Sequence, residues 1–348
     1  MKISFNWLKD YVDIGDVEPQ ELAEILTDTG LEVEGLEKFE SVKGGLEGIL
    51  IGKVLTCEKH PNADRLTVTT VDIGAENPLP IVCGAPNVTA GQKVLVATVG
   101  TTLNMDEKPF TIQKSKIRGS LSEGMICAED EIGLGNSHEG IIVLEDNVPV
   151  GKLAKDHFEI SEDWVFEIGL TPNRTDATAH IGVARDIVAA LNQQRKLNLK
   201  LNLPAVDDFQ VGKAKKKIDI KVDDLDACPR YTGLTITGIQ VKESPDWLRN
   251  RLNAIGIRPI NNIVDITNYI LMETGHPLHA FDADQIKGDT VVIRKANPKE
   301  QFITLDEVNR ELQADDLMIC NVKDGMCIAG VFGGITSGVT DKTRDIFL

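Results

Sequence analysis

Between residues 53 and 118, eight cations (Lys53, Lys59, Arg65, Lys93, Lys108, Lys114, Lys116 and Arg118) stand among six acids (Glu58, Asp64, Asp72, Glu76, Asp106 and Glu107), a local charge of +2. The chain as a whole carries 37 basic and 54 acidic side chains, a net charge of -17. Phosphate contact is driven by lysine and arginine, so binding to nucleic acid over the whole surface is excluded and any such contact is confined to a local face like this one. Phe110 is the single aromatic residue of the interval, which makes base stacking weak there. Cys57, His60, Cys83 and Cys127 are of metal-ligating type, but only Cys57 and His60 are close in sequence and none of the six cysteines forms a C-x-x-C pair. Core and loop roles are favoured over zinc. Further on, Thr267, Asn268, His279, Gly333 and Gly334 carry hydrogen-bonding groups or bare backbone. Taken alone, the first two read as solvent-facing or local caps, His279 as a partly buried histidine, and the glycine pair as a turn or a tight strand crossing. No serine or cysteine is paired with His279 locally, and no glycine-rich phosphate loop suggests ATP binding.

The elements that must position these residues follow from composition and spacing. The chain has 348 residues, 42% apolar and 26% charged, enough for two or three soluble domains. No apolar window is long enough to span a membrane and the first residues lack a signal-peptide stretch, so a cytoplasmic protein with free thiols is expected. Pro19, Leu22, Ile25, Leu26 and Gly30 predict a helix over 19–29. From 48 to 144, short β-rich runs broken by Gly, Pro and Asn predict five or six strands in a small barrel or sandwich. After TPNRTD, Asp176 is expected to cap a helix bearing Ile181, Ala184, Ile187, Val188 and Leu191. The polar stretch 193–217 reads as a linker, with Lys213, Lys215, Lys216 and Lys217 on a solvated face. Helices and strands then alternate as in an α+β domain. One helix is expected with Ser244 as cap, Pro245 at its first position and Gly256 at its end; another is expected over 263–273, closed by Gly275 and Pro277.

Three stretches carry a resemblance. HPNADRL (60–66), IVCGAPNV (81–88) and KIRGSLSEGMIC (116–127) together resemble the OB-fold tRNA-binding domain of several aminoacyl-tRNA synthetases and their relatives. ISFNWLKDYV (3–12), EIGLTPNRTDATAHIGVARDIVAAL (167–191), NNIVDITNYILMETGHPLHAFD (261–282) and IAGVFGG (328–334) resemble the N-terminal half of bacterial phenylalanyl-tRNA synthetase β subunits. The resemblance runs along essentially the whole chain. It implies a multidomain α+β protein: a split N-terminal α/β domain (1–39 and 152–200) interrupted by an OB-fold β-barrel (40–151), followed by an incomplete α+β editing domain (210–348). It also implies an α-subunit partner in an (αβ)2 assembly, tRNA(Phe) as ligand, ATP and Mg2+ as cofactors of the full αβ enzyme, and neither DNA nor membrane as partner. A tRNA-binding protein without catalysis and a free-standing misacylated-tRNA hydrolase are the alternatives.

The implied activity is phenylalanine attachment with hydrolytic proofreading of Tyr-tRNA. An apolar phenylalanine pocket rejects a ligand bearing one extra hydroxyl by only about 100-fold, so a second site that seeks the hydroxyl is needed. By the resemblance, that editing pocket comprises Arg258, Thr267, Asn268, His279, Gly333 and Gly334, and tRNA contacts fall on Lys53, Lys59, Arg65, Lys114, Lys116 and Arg118. Arg258 would hold the RNA backbone or the terminal adenosine, Thr267 and Asn268 the aminoacyl group. His279 would orient the ester or a water, and side-chain-free Gly333 would let the backbone approach the ligand. Water is the implied attacker, with no protein nucleophile and no metal. The carboxylate that reads the tyrosine hydroxyl in the family follows the residues matching Ile346, Phe347 and Leu348, so an incomplete editing site is expected. Thr175 stands where the family commonly has proline, which affects the rigidity of that turn.

Overall fold

A computed structural model describes residues 1–105, 108–135, 137–158, 160–212 and 216–348, with backbone alone at 104, 105 and 108. Asp106 and Glu107 of the charged interval, and Lys213 and Lys215 of the expected linker, lie outside the described residues. The chain is mixed α and β and divides into two units, Met1–Glu37 with Trp164–Leu348, and Lys38–Asp163. No described helix is long and apolar enough to cross a membrane.

In the first unit, strand Lys2–Ser4 pairs antiparallel with the strand Glu162–Gly169, with Ile3 opposite Phe166. Helix Pro19–Asp28 starts on its proline and turns Leu22, Ile25 and Leu26 inward. They meet Val183, Ile187 and Leu191 of helix His180–Arg195 in one core with Trp7, Leu8 and Phe166. Asp176 does not cap that helix: Ala179 occupies the cap position without a side-chain bond. Arg174 takes the Asp176 carboxylate instead, through Nε at 3.0 Å and Nη2 at 2.9 Å, and reaches Asp186 at 2.6 Å. A guanidinium fork outcompetes a capping amide for a carboxylate. Gly182 is required here because a Cβ would collide with the carbonyl oxygen of Asp176.

The expected linker is strapped down at its start. Gln193 and Arg195 belong to the preceding helix, and the Asn192 side chain both donates to Leu199 O (3.0 Å) and accepts from Leu199 N (2.7 Å). Leu199 and Leu201 then pack on the core, and Asn202 N donates to Tyr11 O at 2.7 Å. Lys216 and Lys217 pair with Asp284 and Asp219, at 2.5 and 2.6 Å, so they are not simply solvated.

The C-terminal part of this unit holds a five-stranded sheet ordered Asp219–Val222, Thr290–Lys295, Leu317–Cys320, Gly325–Ile328 and Phe332–Gly333, parallel in its first pair and antiparallel thereafter. A second sheet pairs Asp345–Phe347 with both Thr235–Thr237 and Phe281–Asp282. Helix Asp246–Ala254 has Pro245 at its cap position, and Ser244 is not the cap. The Ser244 hydroxyl donates to the buried Asp265 carboxylate at 2.5 Å, which also accepts from Ile260 N at 2.8 Å. Helix Asn262–Thr274 is capped by Asn261, which accepts from the amides of Ile263 and Val264, and closes on left-handed Gly275.

The last turns of that helix meet the N-terminal residues in a dense polar and aromatic joint. The Trp7 ring stacks on His180 (4.0 Å between centroids) and on Tyr269 (4.4 Å). Trp7 Nε1 donates to the Tyr11 hydroxyl at 2.8 Å, which donates to Glu273 Oε1 at 2.6 Å. His180 donates from Nδ1 to Met272 O at 2.7 Å and accepts at Nε2 from Ser4 N at 3.0 Å, so both ring nitrogens are used by one neutral tautomer. Burial, and less so the nearby Arg251 charge, pushes its pKa down to about 3. Burial and the bond to Glu273 raise that of Tyr11.

The second unit is built on a sheet ordered Gly124–Ile126, Lys93–Thr98, Ile49–Lys59, Thr67–Asp72 and Leu79–Cys83, with Val143–Leu144 also paired to Lys93–Thr98. Its two ends approach: Glu123 N donates to Pro80 O at 2.8 Å and Val82 N to the Ser122 hydroxyl at 3.1 Å. The result is a nearly closed barrel. The β-rich run FTIQKSKIRG (110–119) is divided between two strands, Lys108–Thr111 and Ser115–Ile117, each in its own hairpin.

Because His180 is neutral in the folded state and titrates near pH 6.5 when unfolded, stability is fully present above pH 6.5 and is lost as pH falls toward 3, at up to about 1.4 kcal/mol per pH unit. Urea titrations between pH 4 and 7 should show that slope in the parent chain and a shallower one in His180→Gln. Tyr11→Phe should cost about 1–3 kcal/mol at pH 7 by leaving Trp7 Nε1 and Glu273 without their shared partner.

Candidate functional site

A cavity of about 980 Å³ opens beside the five-stranded sheet. Its walls come from the loop before Thr235, the turn after helix Asn262–Thr274 and the strand ending in Gly333. His279 sits on that turn, half-buried, edge-on to Phe281 with ring centroids 4.5 Å apart. Desolvation lowers its pKa below the ordinary histidine value, so the ring is neutral at pH 7. Among the described residues no group hydrogen-bonds its nitrogens, which leaves them to a ligand or a water. Opposite lies Gly333: a Cβ there would stand 2.7 Å from His279 Cε1 and 3.1 Å from Leu305 Cδ1. The bare backbone at Gly333 is what lets the imidazole lie against this strand. Two further groups on the wall are unsuited to nucleophilic work, since burial raises the Cys327 thiol to about 11 and the Tyr231 phenol to about 12.

Of the six expected pocket residues, the structure brings His279 and Gly333 together on this cavity. Gly334 lies behind it, where a Cβ would be 2.7 Å from the Phe302 ring and 2.9 Å from Met326 O. The Thr267 hydroxyl folds back to Val264 O at 2.7 Å, and neither Thr267 nor the half-buried Asn268 lines the cavity. Arg258 is exposed on the loop between the two helices and is not on the wall either. Sequence reasoning missed the loop holding Arg230, Tyr231 and Thr232, whose signal was a cation beside an aromatic between Pro229 and Gly233. It also missed Leu305, which has no chemical signal at all.

In the barrel unit, His60 is buried and uses both nitrogens on backbone, accepting from Asn62 N at 3.0 Å and donating to Ile117 O at 3.1 Å. Asn62 Nδ2 donates to Arg118 O at 3.2 Å. These bonds fasten the 60–66 loop to the tip of the Ser115–Ile117 and Ser120–Ser122 hairpin. Arg65 on that loop, Arg118 in the hairpin turn, Lys116 on the hairpin strand and Lys59 at the end of its strand therefore stand exposed beside one another. Lys114 is partly neutralised by an ion pair with Glu123. Lys53 lies six residues from Lys59 along the same strand, on the order of 20 Å away, between Asp72 and Lys93 in register. Burial raises the thiols of Cys83 and Cys127, the latter to about 12, and no three His, Cys, Asp or Glu side chains converge as a metal site among the described residues.

Comparison with known proteins places names on both units. Residues 49–153 match the family described as putative tRNA binding domain, and residues 227–348 match the B3/4 domain family. The Bacteroides fragilis phenylalanine--tRNA ligase beta subunit is 56% identical over 348 residues, which are 100% of this chain and 42% of that protein. The Salinibacter ruber phenylalanine--tRNA ligase beta subunit is 45% identical over 360 residues, with the same coverage, 100% and 42%. Among solved structures, the C-terminal domain of Plasmodium vivax p43 is 26% identical over 30% of this chain and 56% of its own, with a TM-score of 0.22. The class so defined is a chain that joins a tRNA-binding-type barrel to a B3/4 domain. Along its whole length it is similar to phenylalanine--tRNA ligase beta subunits, and it spans 42% of the length of these relatives.

The two glycines separate stability from site geometry. Gly334→Ala should lower stability by about 1–3 kcal/mol in urea unfolding, because a rigid ring and a carbonyl must yield. Gly333→Ala should displace the His279 ring, seen as a shift of its imidazole resonances by NMR, at smaller cost to the fold.

Proposed function

We propose that this chain supplies the proofreading site and an RNA-contacting barrel to a phenylalanine--tRNA ligase, whose ATP- and Mg2+-dependent synthesis resides on an α-subunit partner in an (αβ)2 assembly. In this reading residues 1–39 and 152–200 form one split domain, 40–151 an inserted OB barrel, and 210–348 an editing domain. The observation that carries it is the pairing of His279 with the bare backbone of Gly333 in a large cavity inside the B3/4-matching span. The ligand is a misacylated tRNA terminus, with tyrosine ester-linked to the terminal adenosine. His279, neutral and with open nitrogens, accepts a proton from the attacking water or orients it at the ester carbonyl. Thr267, Asn268, Arg258 and Gly334 act from outside the cavity wall, through the helix, loop and strand that hold it. On the barrel, Lys59, Arg65, Lys116 and Arg118 neutralise backbone phosphates, with Lys114 and Lys53 contributing less.

In the αβ enzyme, Gly333→Trp should fill the space before His279 and abolish Tyr-tRNA hydrolysis while phenylalanine attachment stays nearly intact; equal loss of both would defeat the assignment. Hydrolysis should be carried by the neutral imidazole, so its acid limb should lie below pH 6.5 and disappear in His279→Ala along with about 10²-fold or more of the rate. For the barrel, Lys116→Glu with Arg118→Glu should reduce tRNA affinity and lower the slope of log K against log salt by about two, whereas Lys53→Glu changes it less.

A further inference from the structure

The cavity wall is unusual for this chain in its charge. About one residue in six of the sequence is acidic, yet among the described residues no Asp or Glu side chain lines the cavity, and Arg230 is the one formally charged side chain that does. Other arginines of the same unit are committed to carboxylates: Arg251 to Asp10, Arg294 to Glu300 and Arg310 to Asp306. Arg230 is exposed, and its guanidinium makes no ion pair or hydrogen bond among the described residues. The loop that carries it is nonetheless fixed. Asp224 accepts from the amides of Asp226 and Ala227, the Cys228 thiol donates to Arg230 O at 3.5 Å, and Leu234 exchanges two backbone bonds with Leu348 at 2.8 and 2.9 Å. Gly233 closes the loop onto the sheet, where a Cβ would strike the Phe347 ring.

An unpartnered guanidinium on a fixed rim, over a cavity whose described lining contains no Asp or Glu, is arranged for an anion, and its planar fork suits phosphate oxygens. At about 980 Å³ the cavity is at the upper end of ordinary ligand sites, with room for a nucleoside beside an aminoacyl group. We propose that Arg230 binds the phosphate on the 5′ side of the terminal adenosine while the ester lies at His279 and Gly333. This assignment rests on the proofreading reading. It makes Arg230, and not Arg258, the cation that registers the nucleic-acid end in the site.

The test uses this chain and two non-hydrolysable amide analogues, 3′-tyrosylamino-3′-deoxyadenosine with and without a 5′-monophosphate, with binding followed by calorimetry. The parent chain should prefer the phosphorylated analogue by tenfold or more, and the preference should weaken with added salt. Arg230→Ala should erase the preference without changing affinity for the unphosphorylated analogue, Arg230→Lys should retain part of it, and Arg258→Ala should leave it whole. Far-UV circular dichroism checks that the variants are folded. If the parent binds both analogues equally, or Arg230→Ala keeps the preference, the Arg230 assignment is overturned and the proofreading reading stands. Binding of neither analogue overturns both. Adenosine monophosphate binding as tightly as the phosphorylated analogue would overturn the assignment in favour of a free-nucleotide site.

Discussion

The sandwich of Trp7 between His180 and Tyr269 is the constraint on which the larger unit depends. Three segments far apart in sequence meet there, and each is bound to the others by at least one hydrogen bond with no slack in its chemistry. The histidine has two nitrogens and two backbone partners, and the tyrosine hydroxyl of residue 11 receives one bond and gives one. Buried polar groups satisfied in this way fix a single geometry, because any shift leaves a donor or acceptor without water to replace its partner. The sequence stretches 3–12, 167–191 and 261–282 therefore owe part of their character to the joint and not to a ligand.

The joint bears directly on the cavity. Met272 O and Glu273 lie on the last turn of the helix that ends at Gly275, and His279 is four residues beyond that glycine. On the far side, the Asp282 carboxylate accepts from the Thr343 hydroxyl at 2.6 Å and Phe281 enters the sheet opposite Phe347. The short turn bearing the imidazole is thus held from both ends. Precision at a site built on a turn comes from such flanking anchors. Thr267, Asn268 and Asp265 belong to the same helix, and their hydrogen bonds or burial tie them to its support.

What was legible in the sequence was chiefly what local chemistry decides. The helix expected over 263–273 with its glycine stop, the proline-led helix after Glu18, and several short barrel strands follow from residues within a few positions of one another. The structure departs from these expectations where a competing charged or polar partner, near or far in sequence, takes a side chain away from its capping role. Asp176 is held by the Arg174 guanidinium, which it shares with Asp186, and Ser244 by Asp265, so neither caps its helix. At the cavity, His279 and Gly333 were visible in their motifs. The Arg230 loop was not, because it reaches the site only through the pairing of Thr235–Thr237 with Asp345–Phe347, more than a hundred residues away.

The barrel's closure differs in kind from the rest of its sheet. Around most of the circuit continuous ladders join neighbouring strands, but between Leu79–Cys83 and residues 122–123, just before the strand at Gly124, the link among the described residues is one amide-to-carbonyl bond and one serine hydroxyl. Gly124 sits tight there, where a Cβ would stand 3.0 Å from Ala97 O and 3.2 Å from Ile81 Cδ1. This seam is the least costly place for the cylinder to breathe. In hydrogen–deuterium exchange its amides should be the barrel's first to trade their protons, while the interior rungs stay protected.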